Sequence, residues 1–492
     1  MTESKTMSVR GAALWSMGAQ YVAFAVNFIS SVLISRFFLG PEEVGLFSIA
    51  LAAAMLVSIL QDFGITRYLA GEAELNDHKI RACFSVSLIV ALIVGLVILA
   101  MAWPVARFYD DMRLFPLLAV IAGSYCLVPL GIVPTALLQR AMNFRALFVV
   151  NVGAALTMAA VALGMAAAGW SAMSLAFATV ASQGVRAVLG QWLCGHRMVL
   201  KPTLAGIGPI LSFGGGMSAL YVSGAIGTRT PDLIVGRLIG VAATGLYSRA
   251  SSLAAQLVTL LTGAVGAVFY PAFARMRDRG EDLAPPYLRV VAGYSATVWP
   301  AMIFLAAAAL PIVLMLYGEK WAAVAPLLAW IAISEIAFTA LPLHMEIPIL
   351  LGRMRLLLAL NILDTIASIG TLMLGALWGL EWAAMSRVAY SLIWLGIYAG
   401  LMHRLIGFRW SAMVLIWAKS LALSIAATAP LLLVYAYLAG PETITPLALL
   451  ASIATGALCW LAALFVVRHP ARHELIGLMA TAWSTLRPAP AA

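Results

Sequence analysis

Residues 33–40, LISRFFLG, followed by GLFS at 45–48, return two hundred positions later as LIVGRLIG at 233–240 and GLYS at 245–248. The register holds without a gap on the N-terminal side as well, where Tyr21-Val22 meets Tyr221-Val222. Over positions 11–60, 14 of 50 residues are identical at this offset, whereas composition alone in so Ala- and Leu-rich a chain would give about four. The chain is built twice. In a sequence this apolar, a duplicated half is the usual construction of a membrane transporter whose two lobes rock about a central site.

Hydrophobic residues make up 63% of the 492 positions and charged residues only 10%, with a mean hydropathy of +1.00. Such a chain leaves no polar surface for water, so the bilayer is its solvent. Runs of about 20 apolar residues read as spanning helices, and they fall near 13–35, 44–66, 82–102, 115–138, 147–168, 171–193, 210–238, 244–270, 287–310, 322–349, 356–378, 382–402, 414–437 and 445–467. This predicts an all-α polytopic membrane protein with 14 transmembrane helices. The second copy opens at helix seven, so an even number of helices separates equivalent points. Both halves then enter the membrane in the same direction, as parallel repeats. The expected division is an N-terminal lobe at 1–195, an inter-lobe loop at 196–209, a C-terminal lobe at 210–405, and two extra helices with a tail at 406–492. A second echo, Pro134 to Arg140 against Pro348 to Arg353, supports the pairing.

The net charge of +10 follows topology. Of 30 Lys and Arg, 20 fall at the termini and in alternate loops, five (Arg36, Arg107, Arg113, Arg237, Lys320) in the opposite loops, and five (Arg186, Arg229, Arg249, Arg387, Lys419) within predicted helices. By the positive-inside rule both termini are expected in the cytoplasm. No nucleic-acid partner is implied. The four cysteines, at 83, 126, 194 and 459, show no CxxC spacing, so neither a disulfide framework nor a metal site is expected. Phosphate-loop, nucleophile-elbow and zinc-protease motifs are absent from the sequence, and no loop is long enough for a catalytic module.

Charge inside the spans marks candidate function. Hydropathy alone would end helix seven at 228, but the repeat sets Arg229 and Asp232 opposite Ile29 and Val32, inside an apolar helix. Three positions apart, the two share a helical face, and Pro231 between them is a candidate hinge because it removes a backbone donor. Arg249, opposite Ile49, follows the repeated Gly-Leu-Tyr-Ser turn; a guanidinium there suits a diphosphate or acidic sugar, or else snorkels to headgroups. Glu335, Glu346 and Asp364 are candidates for H+ or Na+ coupling, or for neutralising Arg387 or Arg353 between packed helices. Asp62 reads as a helix-end pair. Trp103, Trp170, Trp299, Trp321, Trp378 and Trp382 lie near predicted helix ends and fit an interfacial belt. Gly214-Gly215-Gly216 lies within a span, where close packing or a hinge is the expectation.

Together, 33–48, Pro134 to Arg145, Asp232 to Gly240, Gly245 to Ala250 and Tyr270 to Arg275 resemble the polysaccharide transporter branch of the MOP exporter superfamily. The likeness is to Wzx-type flippases and colanic-acid or succinoglycan exporters. It implies two six-helix lobes in a V shape plus two further helices, in a bacterial inner membrane. It implies a lipid-linked oligosaccharide flippase and no enzyme: an undecaprenyl-diphosphate-linked oligosaccharide would pass to the periplasmic leaflet by alternating access, for exopolysaccharide, capsule or O-antigen assembly. A polysaccharide polymerase and co-polymerase would be its partners, and no cofactor is implied beyond a coupling ion. Cavity positions in the family come mainly from helices one, two, seven and eight, which favours Asn27, Arg229, Asp232 and Arg249. Two other readings compete: a multidrug or cation antiporter of the same superfamily, and a membrane glycosyltransferase or ligase. The last would need a large outer loop bearing catalytic carboxylates or histidines, and the outer loops here are short connectors.

Overall fold

The computed structural model of the chain describes residues 9–59, 61, 64–72, 74–194, 202–208, 210–211, 229–263, 266–474 and 476. Gly214 to Gly216, Asp62 and half of the expected inter-lobe loop (196–201 and 209) lie outside the described residues. All regular structure in the described residues is helical. The chain divides into two compact units, Met1–Ser248 and Arg249–Ala492.

Unit 1 contains α1 (Val9–Leu33), continued by a π-turn at Ile34–Phe38, then α2 (Pro41–Ser58), α3 (Ile65–Gly71), α4 (Asp77–Phe108), α5 (Leu114–Tyr125), α6 (Val128–Arg140), α7 (Phe144–Ala167), α8 (Met173–Cys194), the helical stretch α9 (229–238) and the start of α10 (Val241–Thr262). Unit 2 continues α10 and adds α11 (Gly266–Asp278), α12 (Ala284–Ala307), α13 (Ala309–Tyr317), α14 (Val324–Phe338), α15 (Glu346–Leu350), α16 (Met354–Ala376), α17 (Leu380–Ile406), α18 (Trp410–Tyr437) and α19 (Pro446–Val466). Among the described residues nine helices are long and apolar enough to cross a bilayer, or ten if the bent pair α5 and α6 forms one span. Helices α8 and α10, each of 22 residues, are long enough but less apolar.

Several runs that hydropathy predicts as single spans are broken, and proline accounts for three of the breaks. The 115–138 run bends by 41° between α5 and α6, where Pro129 sits in the first turn of α6 without an N–H to continue the helix. The 287–310 run stops at Ala308, and Pro311 falls in the first turn of α13. The 322–349 run opens around Pro342, beside Leu343 at φ 60°. The 44–66 run ends at Ser58 and resumes as α3 after the left-handed Gly64.

Lipid tails are as apolar as leucine, so these helices are held by close packing rather than by escape from water. In unit 1, Leu46, Ile49 and Ala53 of α2 pack with Ile98 of α4, Leu117 and Ile121 of α5, and Ala176 of α8. In unit 2, Tyr287 and Val291 of α12 meet Trp394, Tyr398 and Met402 of α17 and Met413 of α18. Outward-facing Ile93, Leu96, Val188, Leu374 and Leu447 remain exposed, as a lipid-facing belt requires. Trp103, Trp170, Trp378 and Trp382 are exposed as the interfacial reading expects. Trp299 and Trp321 are not: they are buried inside unit 2.

Among the described residues the repeat packs directly against itself. At the first turns of α2 and α10, a Cβ added at Gly45 would overlap the carbonyl oxygen of Val241, and one added at Gly245 would overlap the carbonyl oxygen of Pro41. One turn further on, the Ser48 hydroxyl donates to the Ser248 hydroxyl at 3.0 Å. Each residue of the first copy thus meets its own equivalent neighbourhood in the second, a self-complementary crossing about a local two-fold. Glycine is required at both places because the carbonyls come against Cα.

The α4–α5 turn is tied to the start of α2 by charge. Arg113 bridges Asp111 at 2.7 Å and Glu42 at 2.6 Å. The hydrogen bond from Arg113 holds the Asp111 carboxyl below the usual carboxylate range. A carboxyl whose folded value is depressed stabilises the fold above its unfolded value and loses that contribution as pH falls. Acidification below about pH 4 is therefore expected to raise amide exchange at 109–114 before the cores open. Arg113→Ala should exchange fast at every pH; an acid-insensitive turn in the wild-type chain would show that the bridge does not hold it.

Candidate functional site

Four helices of unit 1 each contribute one stripe to a common cavity of about 630 Å³. From α1 come Ser16, Gln20, Phe24 and Asn27; from α6, Thr135 and Gln139; from α7, Phe144, Phe148 and Asn151; from α8, Ser182 and Arg186. The spacings are three, four or seven residues, which places each set on a single helical face. Ala19, Ala23 and Ala155, with Leu147 and Met158, complete the lining. Close packing elsewhere keeps the stripes aligned. Gly190 of α8 faces Pro134 of α6, and Gly153 of α7 faces the Leu189 side chain of α8.

The lining is polar without being acidic. Asn151 accepts a hydrogen bond of 3.0 Å from Arg186, and no described acidic side chain lines the cavity. Trp15 packs edge-on against Phe148, with ring centroids 5.2 Å apart, and so braces one wall. Amides and hydroxyls that both donate and accept, with aromatic faces between them, provide the chemistry that binds polyhydroxylated molecules.

Asn27, expected from the sequence, lines this cavity. Arg229 and Asp232 are half-buried in α9, which is helical through Pro231 rather than looped. They share that helix, but among the described residues no ion pair joins them. The expected bend at Pro231 involves residues before 229, outside the described ones. The C-terminal part of α9 is held by the end of α4: the Tyr109 hydroxyl donates to the Leu233 carbonyl at 2.9 Å, and Arg237 lies 5.0 Å from the centroid of Phe108.

Arg249 lies in unit 2 and is enclosed. Its guanidinium sits 5.4 Å from the Tyr317 ring centroid and 5.5 Å from that of the buried Trp321. Such a cage suits a cation, and it accounts for Trp321 being inside rather than at the interface. Glu335 of α14 pairs with Arg387 of α17 at 2.6 Å, and Arg387 also donates to Ser334 at 3.0 Å and lies 5.1 Å from the Phe338 ring centroid. Asp364 of α16 lies near Tyr390 of α17, and its Oδ1 is buried with no hydrogen-bond partner among the described residues. Glu346 opens α15, apart from both.

The residue that reading for charge alone underrated is Arg186, together with Gln20, Gln139 and Asn151. Their signal is in the sequence as polar pairs four apart, Ser16 with Gln20, Thr135 with Gln139 and Ser182 with Arg186, on otherwise apolar helices. The first lobe looked poor in function because it is poor in charge; its polar groups are mostly neutral amides.

The comparisons agree with this architecture. The Succinoglycan biosynthesis transport protein ExoT of Rhizobium meliloti is 26% identical over 408 residues, covering 80% of this chain and 78% of that protein. The Lipopolysaccharide biosynthesis protein WzxC of Escherichia coli is 22% identical over 321 residues, 64% of each chain. Among solved structures, Lipid II flippase MurJ in an inward closed conformation superposes with a TM-score of 0.74 at 12% identity, covering 94% of this chain and 100% of that one. That likeness speaks to the fold. The sequence profile of the family described as Polysaccharide biosynthesis protein matches residues 33–326. This span is more than half of the chain, and it takes in the repeated segments at 33–48 and 233–248 and the cavity helices α6, α7 and α8, so the chain belongs to the polysaccharide biosynthesis protein family.

Proposed function

We propose that this protein is a flippase that moves undecaprenyl-diphosphate-linked oligosaccharide repeat units from the cytoplasmic to the periplasmic leaflet of a bacterial inner membrane by alternating access. The observation that carries this reading is the unit 1 cavity: amides, hydroxyls and aromatic faces around one arginine, inside a body whose outside is apolar. A sugar head can cross through such a cavity while the polyprenyl chain stays among the lipids, where its burial costs nothing. The finer architecture belongs to the same proposal. It comprises 14 helices, two six-helix lobes in a V at 1–195 and 210–405, a connecting loop, the appended helices beyond 405, and both termini in the cytoplasm. Arg229, Asp232 and Arg249 would meet the head group during passage, Pro231 would act as hinge, and Glu346 and Asp364 would couple H+ or Na+, with Glu335 tied to Arg387. A polymerase and co-polymerase would receive the product.

Export of cationic drugs is the competing reading. A cationic cargo calls for a carboxylate in its site, and among the described residues the one charged group lining this cavity is Arg186.

The test uses a strain that depends on this gene for polymer. In the deletion, labelled lipid-linked repeat units should accumulate where a membrane-impermeant oxidant added outside spheroplasts cannot reach them. The wild-type gene should restore access, and Arg229→Ala and Asn27→Leu should restore less than about a tenth of it, since the first removes a charge from the path and the second fills the cavity. Full access in the deletion, or altered drug sensitivity alone, would overturn the flippase reading.

A further inference from the structure

Resting on that reading, we infer that the unit 1 cavity recognises an acidic sugar within the cargo, with the sugar carboxylate on Arg186 and neighbouring hydroxyls on the surrounding amides. The protein contains its own comparison. Arg186 on α8 in unit 1 and Arg387 on α17 in unit 2 are both held between helices, and they are treated differently. Arg387 has Glu335 at 2.6 Å. Arg186 has the neutral Asn151 amide at 3.0 Å and, among the described residues, no carboxylate in the cavity wall. A guanidinium carries five donors, so one bond to Asn151 leaves a fork open toward the cavity. A cation without a counter-ion in low dielectric is costly, and an anionic ligand relieves that cost on entry.

The geometry selects the kind of anion. One planar guanidinium matches one planar carboxylate through two parallel bonds. A diphosphate, with at least two charges, would call for several cations, and the other lining groups are neutral. Gln20, Asn27 and Gln139 can each donate and accept, as adjacent ring hydroxyls require. Phe24 and Phe148 offer flat apolar faces to the C–H side of a pyranose. The volume of about 630 Å³ lies within the range of about 300–1,000 Å³ usual for sites that enclose ligands of this size.

The experiment measures binding to the purified full chain in nanodiscs, followed by intrinsic tryptophan fluorescence, since Trp15 packs on Phe148. The probes are cellobiouronic acid, which carries one glucuronate, and cellobiose, its neutral counterpart, with inorganic pyrophosphate as competitor. At pH 7 the acid should bind about tenfold tighter than the neutral sugar or better, the effect of one charge-assisted pair. Arg186→Gln should abolish the preference, so that the acid binds no tighter than cellobiose, and Arg186→Lys should keep part of it. Should neither variant fold, the wild-type comparison still decides. Equal binding of the two sugars, or displacement of the acid by pyrophosphate at lower concentration than by cellobiouronic acid itself, would overturn the inference. Binding is read without export, so the sugar preference and the flippase reading can fail separately.

Discussion

Alanine at Gly45 is expected to abolish the α2–α10 crossing and most transport with it. The added methyl would occupy the position of the Val241 carbonyl oxygen. A side chain could rotate away from such an overlap, but a helix carbonyl cannot, so the two helices must separate. Overpacking of this kind costs about 1–3 kcal/mol. If the crossing forms in only one of the alternating states, that penalty shifts their balance by about 5- to 150-fold. Gly245→Ala should do the same from the other side, because its Cβ meets the Pro41 carbonyl. The measurement is disulfide formation between Ser48→Cys and Ser248→Cys, whose parent hydroxyls lie 3.0 Å apart, in a background lacking the native cysteines. The pair should cross-link rapidly under mild oxidation and stop export until reduced. Gly45→Ala should slow cross-linking by about tenfold or more. An unchanged rate would mean that the crossing tolerates a methyl group and that the glycines are not what lets the helices meet.

The second large effect is expected at Glu335. Replacing it with leucine removes the carboxylate from Arg387 between α14 and α17, with Glu335 13% and Arg387 26% exposed. Breaking one side of a buried pair costs about 3–5 kcal/mol, whereas replacing both partners with apolar residues is often neutral or better. Glu335→Leu should therefore unfold at a markedly lower temperature in detergent, and Glu335→Leu combined with Arg387→Met should return close to wild type. Export separates the two roles considered for Glu335. A pair that only joins helices leaves the double variant active; a coupling carboxylate leaves it folded and inactive. A double variant as unstable as the single one would mean that the pair is not what joins α14 to α17.

Much of this was legible in the residues, for a physical reason particular to membranes. A bilayer demands long apolar helices, so the spans stand out, and the repeat at 33–48 and 233–248 identifies equivalent positions without any structure. It placed Arg229 and Asp232 in a helix where hydropathy alone would have drawn a loop. Breaks within spans were less legible. Pro129, Pro311 and Pro342 were visible, but whether a proline kinks, caps or ends a helix depends on what satisfies the freed carbonyl. The aromatic belt was partly misread for a related reason: Trp299 and Trp321 sit near helix ends in sequence, yet α12 and α13 turn them inward, and Trp321 meets Arg249 across unit 2.

The site divides in the same way. Searching for charge led to Arg229, Asp232, Arg249 and three carboxylates, because an ionised group in lipid is conspicuous. The neutral stripe of α1, α6, α7 and α8 carries no such mark, since single amides and hydroxyls occur throughout apolar helices. Composition and period thus determined that this protein is helical and crosses the membrane many times, and the duplication determined which positions are equivalent, while its family was legible only through the resemblance of its spaced motifs. These depend on the transfer of side chains into lipid and on a linear register, both properties of the chain itself. Which arginine is neutralised and which faces an acid-free cavity was decided only by the tertiary structure. Arg186 and Arg387 look alike in sequence, and what separates them is whether a neighbouring helix brings Glu335 or Asn151 within hydrogen-bonding reach.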